Sequence, residues 1–206
     1  MRENWVEIEL SQVLKLKNQK IGPHVDEPTI FAISKYEGVI LASDFFGKRM
    51  ASKKLDGYKI LEPGDWVYST IHIEEGSIAT NHHPHSGVVS PMYTTMSWSS
   101  EDNSAEYFEL LLRSPAAIAS YRENSQGSIE RRKSLSFTRF SQLKFWVPPL
   151  AEQKRIVDLV SSVDSYIQLL QGQIDNSIRL RYGLRSDLLS GDHEIPASYD
   201  QLIGTA

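Results

Sequence analysis

The chain has 206 residues and a mass of 23.4 kDa, with 40% hydrophobic and 23% charged residues, enough to bury one core of respectable size and still carry an extended appendage. It contains no cysteine, which excludes a disulfide scaffold, zinc–thiolate sites, iron–sulfur clusters and cysteine nucleophiles. Its formal net charge of −4 excludes a globally basic nucleic-acid binder, so any nucleic-acid surface has to be a local patch.

The chain opens Met1-Arg2-Glu3-Asn4-Trp5, without the apolar core of a signal peptide. No run approaches the ~20 apolar residues of a membrane helix; the expected location is the cytoplasm, with no membrane partner. Thr29–Ser34 and Gly38–Ala42 read as strands. Trp66–Ile71 is β-branched and aromatic and follows a turn at Glu62-Pro63-Gly64-Asp65, so it reads as a third. Val88–Tyr93 is a fourth, with Pro91 marking an edge or bulge. A helix is expected over Ala105–Leu112 with Ser104 as its cap, and another over Pro115–Arg122, where Pro115 suits a first turn. The expected class is α+β: a compact mixed α/β domain over residues 1–149, one long helix over 150–190, and a C-terminal tail over 191–206.

From Leu150 to Ser190 there is no proline. Ile156, Val160, Val163, Ile167, Leu170 and Ile174 step by four and three, the seam of a coiled coil. The strict frame then lands on Ser177 and Arg181; Ile178, Leu184 and Leu188 carry the apolar character on in a shifted frame, as a stutter does. A ~40-residue helix is about 60 Å long, against ~30 Å for a compact domain of the preceding length. One outcome is a helix packed on the side of its own domain, leaving much of the seam in water at ~1.5–3 kcal/mol of forgone burial per large side chain. The favoured one is a helix that pairs with another. Gly172 and Gly183 either allow close helix approach or bend the rod.

No glycine-rich phosphate loop, Gly-x-Ser-x-Gly turn or His-Glu-x-x-His segment is present, and the carboxylates form no recognisable acid/base pair. Asn81-His82-His83-Pro84-His85, with His72 upstream, offers imidazoles to a metal, but Pro84 breaks regular presentation and no carboxylate stands near in sequence. The plain alternative is a solvated loop between two strands; a third is contact with a phosphate or base edge. No bound metal is expected. The charge map says more. Lys48, Arg49, Lys53, Lys54 and Lys59 stand against Asp56 alone, and Arg113, Arg122, Arg131, Arg132, Lys133, Arg139 and Lys144 against Glu123 and Glu130. Each stretch carries hydroxyl or aromatic companions, which suits phosphate contact plus groove readout; a solvated face is the bland alternative. The candidate DNA-binding residues are Lys48, Arg49, Lys53, Lys54, Arg131, Arg132 and Lys133, with His82 and His83 as outsiders.

Several segments, in order, resemble the specificity (S) subunit of type I restriction-modification enzymes: Trp5–Val13, Leu61-Glu62-Pro63-Gly64-Asp65-Trp66-Val67-Tyr68-Ser69, Gly87-Val88-Val89-Ser90-Pro91-Met92-Tyr93, Arg131–Phe140 before Phe145-Trp146-Val147-Pro148-Pro149-Leu150-Ala151-Glu152-Gln153, and Leu184–Gly191. The Pro-Pro-Leu-Ala-Glu-Gln junction is the most specific of them. S subunits generally hold two target recognition domains and two long helices; this chain has one of each, as a half-subunit would, naturally short or truncated.

The resemblance implies a non-catalytic subunit. Its globular domain reads one half of a split double-stranded DNA target, and its helix pairs antiparallel with a second helix as a spacer, in a homodimer or with a second half-subunit. A methyltransferase subunit and a restriction subunit complete the complex, and S-adenosylmethionine, ATP and magnesium belong to them; this chain is expected to hold no cofactor. The resemblance also offers Glu152 and Gln153 a part in holding the methyltransferase, against simple helix capping, which is favoured for Glu152. Competing expectations are service to a fused restriction-methylation enzyme, a coiled-coil adaptor that binds only protein, and an enzyme with a histidine metal centre.

Overall fold

In a computed structural model, residues 4–22, 28–46, 55, 57–127 and 133–196 are described. The elements in order are β1 (Val6–Glu9), β2 (Leu14–Leu16), β3 (Phe31–Ser34), β4 (Gly38–Leu41), α1 (Ala42–Phe46), β5 (Lys59–Leu61), β6 (Trp66–Ser69), β7 (Ile78–Thr80), β8 (Gly87–Val89), β9 (Tyr93–Trp98), α2 (Ala105–Leu112), α3 (Pro115–Asn124), α4 (Phe137–Ser141), β10 (Lys144–Val147) and α5 (Leu150–Ser190). The chain divides into two compact units, Met1–Val157 and Asp158–Ala206.

In the first unit an antiparallel sheet of order β2-β9-β6-β7 is central. Every residue of β6 is buried, because the strand is covered on both faces. Trp66 and Tyr68 face one cluster with Ile78, Met96, Phe108, Tyr121 and Phe140. Val67 alternates to the other face, with Ala79, Phe31, Ile33, Leu61 and Val89. Helices α2, α3 and α4 cover the first face; the pairs β3-β4 and β5-β8 cover the second.

The Glu62–Asp65 turn places Pro63 and Gly64 at its centre, with the Asp65 N–H donating to the Glu62 carbonyl at 3.0 Å. Gly64 has φ +81°, the conformation that glycine supplies at this position of a type II turn. The buried Asp65 carboxylate accepts from the Glu62 N–H at 2.8 Å and from Lys17 Nζ at 2.7 Å. Burial pulls the Lys17 ammonium down, but hydrogen bonds and charge from Asp65 and Glu62 outweigh it and raise its pKa above the usual lysine value.

The expected strand over Val88–Tyr93 is two strands. Tyr93 N–H donates to Ser90 O at 3.0 Å across a turn. Pro91, which lacks an N–H, sits inside that turn between β8 and β9 instead of at an edge or bulge. The two short helices form as expected: Ser104 Oγ accepts from the Tyr107 N–H at 3.2 Å, and Ser114 Oγ from the Ala117 N–H at 3.3 Å, ahead of Pro115. The ribbon β1-β10 joins residues near the two ends of the first unit, Val6 to Val147 through Glu9 to Lys144.

The 41-residue helix α5 spans Leu150–Ser190. Its first two turns belong to the first unit, where Ile156 and Val157 pack against the main cluster. Within the second unit, Val163, Ile167 and Ile174 are each more than half exposed, and Leu159, Leu170, Ile178, Leu184 and Leu188 are also exposed. Counted along the helix, Leu184 and Leu188 return to the same four-three frame as Ile174 once Ser177 and Arg181 are passed. The interruption is therefore two polar positions in one continuous stripe, and no stutter is needed. At 100° per residue Gly172 and Gly183 fall on the face roughly opposite this stripe, so they do not bring helices together along it.

Candidate nucleic-acid interface

Lys48, Arg49, Lys53 and Lys54 lie outside the described residues, as do Arg131 and Arg132. Both segments that carry them have described flanks. The first leaves α1, whose Ala42 N–H donates to Ile30 O at 2.9 Å, and the chain re-enters through Tyr58, whose carbonyl accepts from the Ile21 N–H at 2.9 Å. The second is closed by reciprocal bonds between Gln126 and Ser134, at 3.0 and 2.8 Å, beside the half-buried Lys133. Leu135 N–H then donates to Thr70 O at 2.9 Å, just beyond β6, and the Tyr68 hydroxyl donates to Leu135 O at 3.1 Å.

Thr70 follows Ser69, which pairs with Tyr93. At this end lies a cleft of about 550 Å³ lined by Tyr36, Tyr58, Tyr93, Met92, Lys35 and His72 among others. Ala42 and Tyr58, on the flanks of the first basic segment, line it too, as does Ile71 next to Thr70. The flanks of the first basic segment thus line an aromatic and hydroxyl-lined cleft, and Leu135, just after the second, bonds to Thr70 beside the cleft-lining Ile71, which suits phosphate contacts at a rim and base contacts within. Lys59 turns inward: its Nζ donates to Tyr93 O at 2.5 Å, and burial first, then the charge of Lys20, lowers its pKa.

His82 and His83 stand at the other end of the sheet, where Trp66 pairs with Thr80 and the chain passes into Asn81. His82 Nε2 donates to both carboxylate oxygens of Glu109, at 3.0 and 3.1 Å, and Glu109 Oε1 also accepts from the Thr80 N–H at 3.1 Å. Glu109 thus already occupies the Nε2 through which His82 would meet a phosphate. His83 Nε2 donates to Val39 O at 3.0 Å and its ring stacks on Phe31 at 4.7 Å, so it fastens the loop to β4. Asn81, fully buried, holds the same loop: its Oδ1 accepts from the His83 N–H at 3.1 Å and its Nδ2 donates to Leu61 O at 3.3 Å. Among the described residues no group of three or more His, Asp or Glu is placed to hold a metal ion.

Gln153, in the first turn of α5, is buried against α2. Its Oε1 accepts from the Ser104 N–H at 2.9 Å, and its Nε2 donates to Asn103 Oδ1 at 2.8 Å and Pro148 O at 2.9 Å. The last residue of the Pro-Pro-Leu-Ala-Glu-Gln junction thus joins the start of the long helix to the domain. Glu152 is exposed in the same turn, where its charge complements the helix dipole.

The family model for the type I restriction modification DNA specificity domain matches residues 42–180, which spans both β-rich domain and helix. The chain belongs to this family. Such a domain supplies DNA specificity. Two solved structures share the fold of this specificity domain. The HsdS subunit from Thermoanaerobacter tengcongensis is 18% identical with a TM-score of 0.60, covering 91% of this chain and 47% of that one. A chain from a structural study of complex assembly and conformational transition of the type I R-M system is 17% identical with a TM-score of 0.60, covering 96% of this chain and 53% of that one. The specificity domain therefore spans about half the length of the solved chains it matches. No curated protein matches the chain. No helix among the described residues is long and apolar enough to cross a membrane.

Proposed function

We propose that this chain reads one half of a bipartite double-stranded DNA target within a restriction-modification complex. Membership of the DNA specificity family, over residues 42–180, which include β5 to β10 and most of α5, carries this reading. Two basic stretches in the sequence support it, the first of them flanked by the cleft-lining residues Ala42 and Tyr58. The basic residues Lys48, Arg49, Lys53, Lys54, Arg131, Arg132 and Lys133 position the domain on phosphates, and a subset reads base edges.

The exposed stripe Val163, Ile167, Leu170 and Ile174 pairs with a second helix, from an identical chain or a second half-subunit. Partner methyltransferase and restriction subunits in the cytoplasm supply the chemistry and hold S-adenosylmethionine, ATP and magnesium. A specific readout tests the reading: methylated-motif mapping of the chain assembled with its methyltransferase subunit. A split motif is expected; methylation without any sequence motif would contradict it.

A further inference from the structure

The turn between β3 and β4 has no assigned task, and its construction is unusual. Both strands are largely buried, but Lys35, Tyr36 and Glu37 stand in solvent, and Tyr36 is 80% exposed. A single exposed aromatic is ordinary on a protein surface. The backbone beneath this one is held from two sides. Ser34 Oγ accepts from the N–H groups of Tyr36 and Glu37, each at 3.2 Å. From the C-terminal end of α2, the Arg113 guanidinium donates to the carbonyls of Lys35 at 2.5 Å and Tyr36 at 3.2 Å. Water would satisfy those carbonyls equally well in a turn with no task; a guanidinium on two consecutive carbonyls fixes their direction.

Above this fixed turn Lys35 Nζ lies 5.1 Å from the Tyr36 ring centroid. The Lys35–Glu75 pair is long, at 3.7 Å, and both partners are exposed; such a pair holds little energy and leaves the ammonium available to a phosphate. Lys35 and Tyr36 line the same cleft as Ala42 and Tyr58, the flanks of the first basic segment. The major groove admits a two-stranded β-ribbon, and here only the ribbon's tip protrudes.

We propose that the Lys35-Tyr36-Glu37 turn enters a groove of the target duplex, with Tyr36 reading a base edge through its hydroxyl, Lys35 contacting phosphate, and Arg113 positioning the turn. The inference rests on the DNA-reading function proposed above. The Tyr36 hydroxyl both donates and accepts, so it can meet a carbonyl or an exocyclic amino group.

The test uses the chain assembled with its methyltransferase subunit. The methylated motif is mapped by sequencing, and affinity is measured for a duplex carrying that motif and for a scrambled one across a salt series. Tyr36→Ala is expected to make one or two adjacent motif positions degenerate. It should lower the specific-to-scrambled affinity ratio tenfold or more, with scrambled-duplex affinity and melting temperature nearly unchanged. Tyr36→Phe isolates the hydroxyl and is expected to give a smaller change at the same positions. Arg113→Ala is expected to relax those positions partially and to speed amide exchange at Tyr36 and Glu37; a purely structural Arg113 would leave the motif intact. A Tyr36→Ala complex with the wild-type motif and affinity ratio overturns the inference alone. A wild-type complex with no preference between the two duplexes overturns the DNA-reading function itself.

Discussion

Gln153 accepts a hydrogen bond at 2.9 Å from the backbone N–H of Ser104, the residue that caps α2, although the two lie far apart in sequence. The amide side chain is 1% exposed and its two ends do different work: the oxygen takes the Ser104 N–H, and the nitrogen serves Asn103 and Pro148. Gln153→Ala leaves the Ser104 N–H and the Pro148 carbonyl without these partners, at ~1–3 kcal/mol for each buried group. Gln153→Glu is expected to be worse, since a carboxylate cannot donate to Asn103 Oδ1 or Pro148 O and would be buried as a charge. Thermal melts of the two variants check this order; equal, small losses would contradict it.

Gly87 opens β8 beneath Phe31. A Cβ placed there would lie 2.4 and 2.7 Å from ring atoms of Phe31 and 2.6 Å from the carbonyl oxygen of Thr29. Phe31 is fully buried and stacks against His83, so neither ring nor backbone yields easily. Gly87→Ala is expected to destabilise the domain by ~1–3 kcal/mol through overpacking, read as a lower urea midpoint with an unchanged slope. A midpoint equal to the wild type would show that the ring moves freely.

Tyr68 links the sheet to the segment behind the second basic loop, its hydroxyl donating to Leu135 O. Desolvation raises its pKa to about 12, with a hydrogen bond to Thr94 opposing. The folded pKa lies above the unfolded value of 10.0, so the stabilisation is full below pH 10. It is lost as pH rises from there towards the folded pKa, because the unfolded chain releases this proton first. Tyr68→Phe is expected to cost ~1 kcal/mol near neutral pH and to flatten the fall of stability above pH 10. Denaturant titrations across that range decide it; an unchanged alkaline slope would contradict the assignment.

How far the sequence carried depended on the range of the interaction. The Ser104 cap acts within three residues and Pro115 suits a first helical turn by its own fixed φ, so the starts of α2 and α3 were legible. The unbroken run of helix formers likewise marked α5, and the order of motifs marked the family. Pro91 was legible as a disruption of strand but not as a turn, since only its pairing partners distinguish the two. The histidine segment forms a loop between two strands, as its plain reading has it, but its carboxylate partner Glu109 is distant in sequence and close in space and carries no local signal. Gln153 and the Arg113 clamp on the β3–β4 turn are contacts between side chains and distant backbone, and no periodicity encodes those. A lone tyrosine between two strands has no spacing signature, so nothing in the sequence singles out Tyr36.

The exposed stripe on α5 makes its own prediction. Ile167→Asp with Leu170→Asp places two charges in the paired surface, where burial of unpaired charge is prohibitive. The wild-type chain is expected to sediment at twice its formula mass at high concentration, and the double variant as a single chain with the same circular dichroism per residue. A wild type that sediments as a single chain at every concentration, alone and with its methyltransferase subunit, would remove pairing between identical chains.

One measurement bears most directly on the proposal that paired helices hold two DNA readers a fixed distance apart. Seven residues inserted after Leu170 extend the helix by about 10.5 Å, close to three base pairs at 3.4 Å each. Methylated-motif mapping of the assembled wild type and insertion variant compares their spacers. The account predicts unchanged half-site sequences separated by a gap about three base pairs longer; an identical gap in both complexes would contradict it.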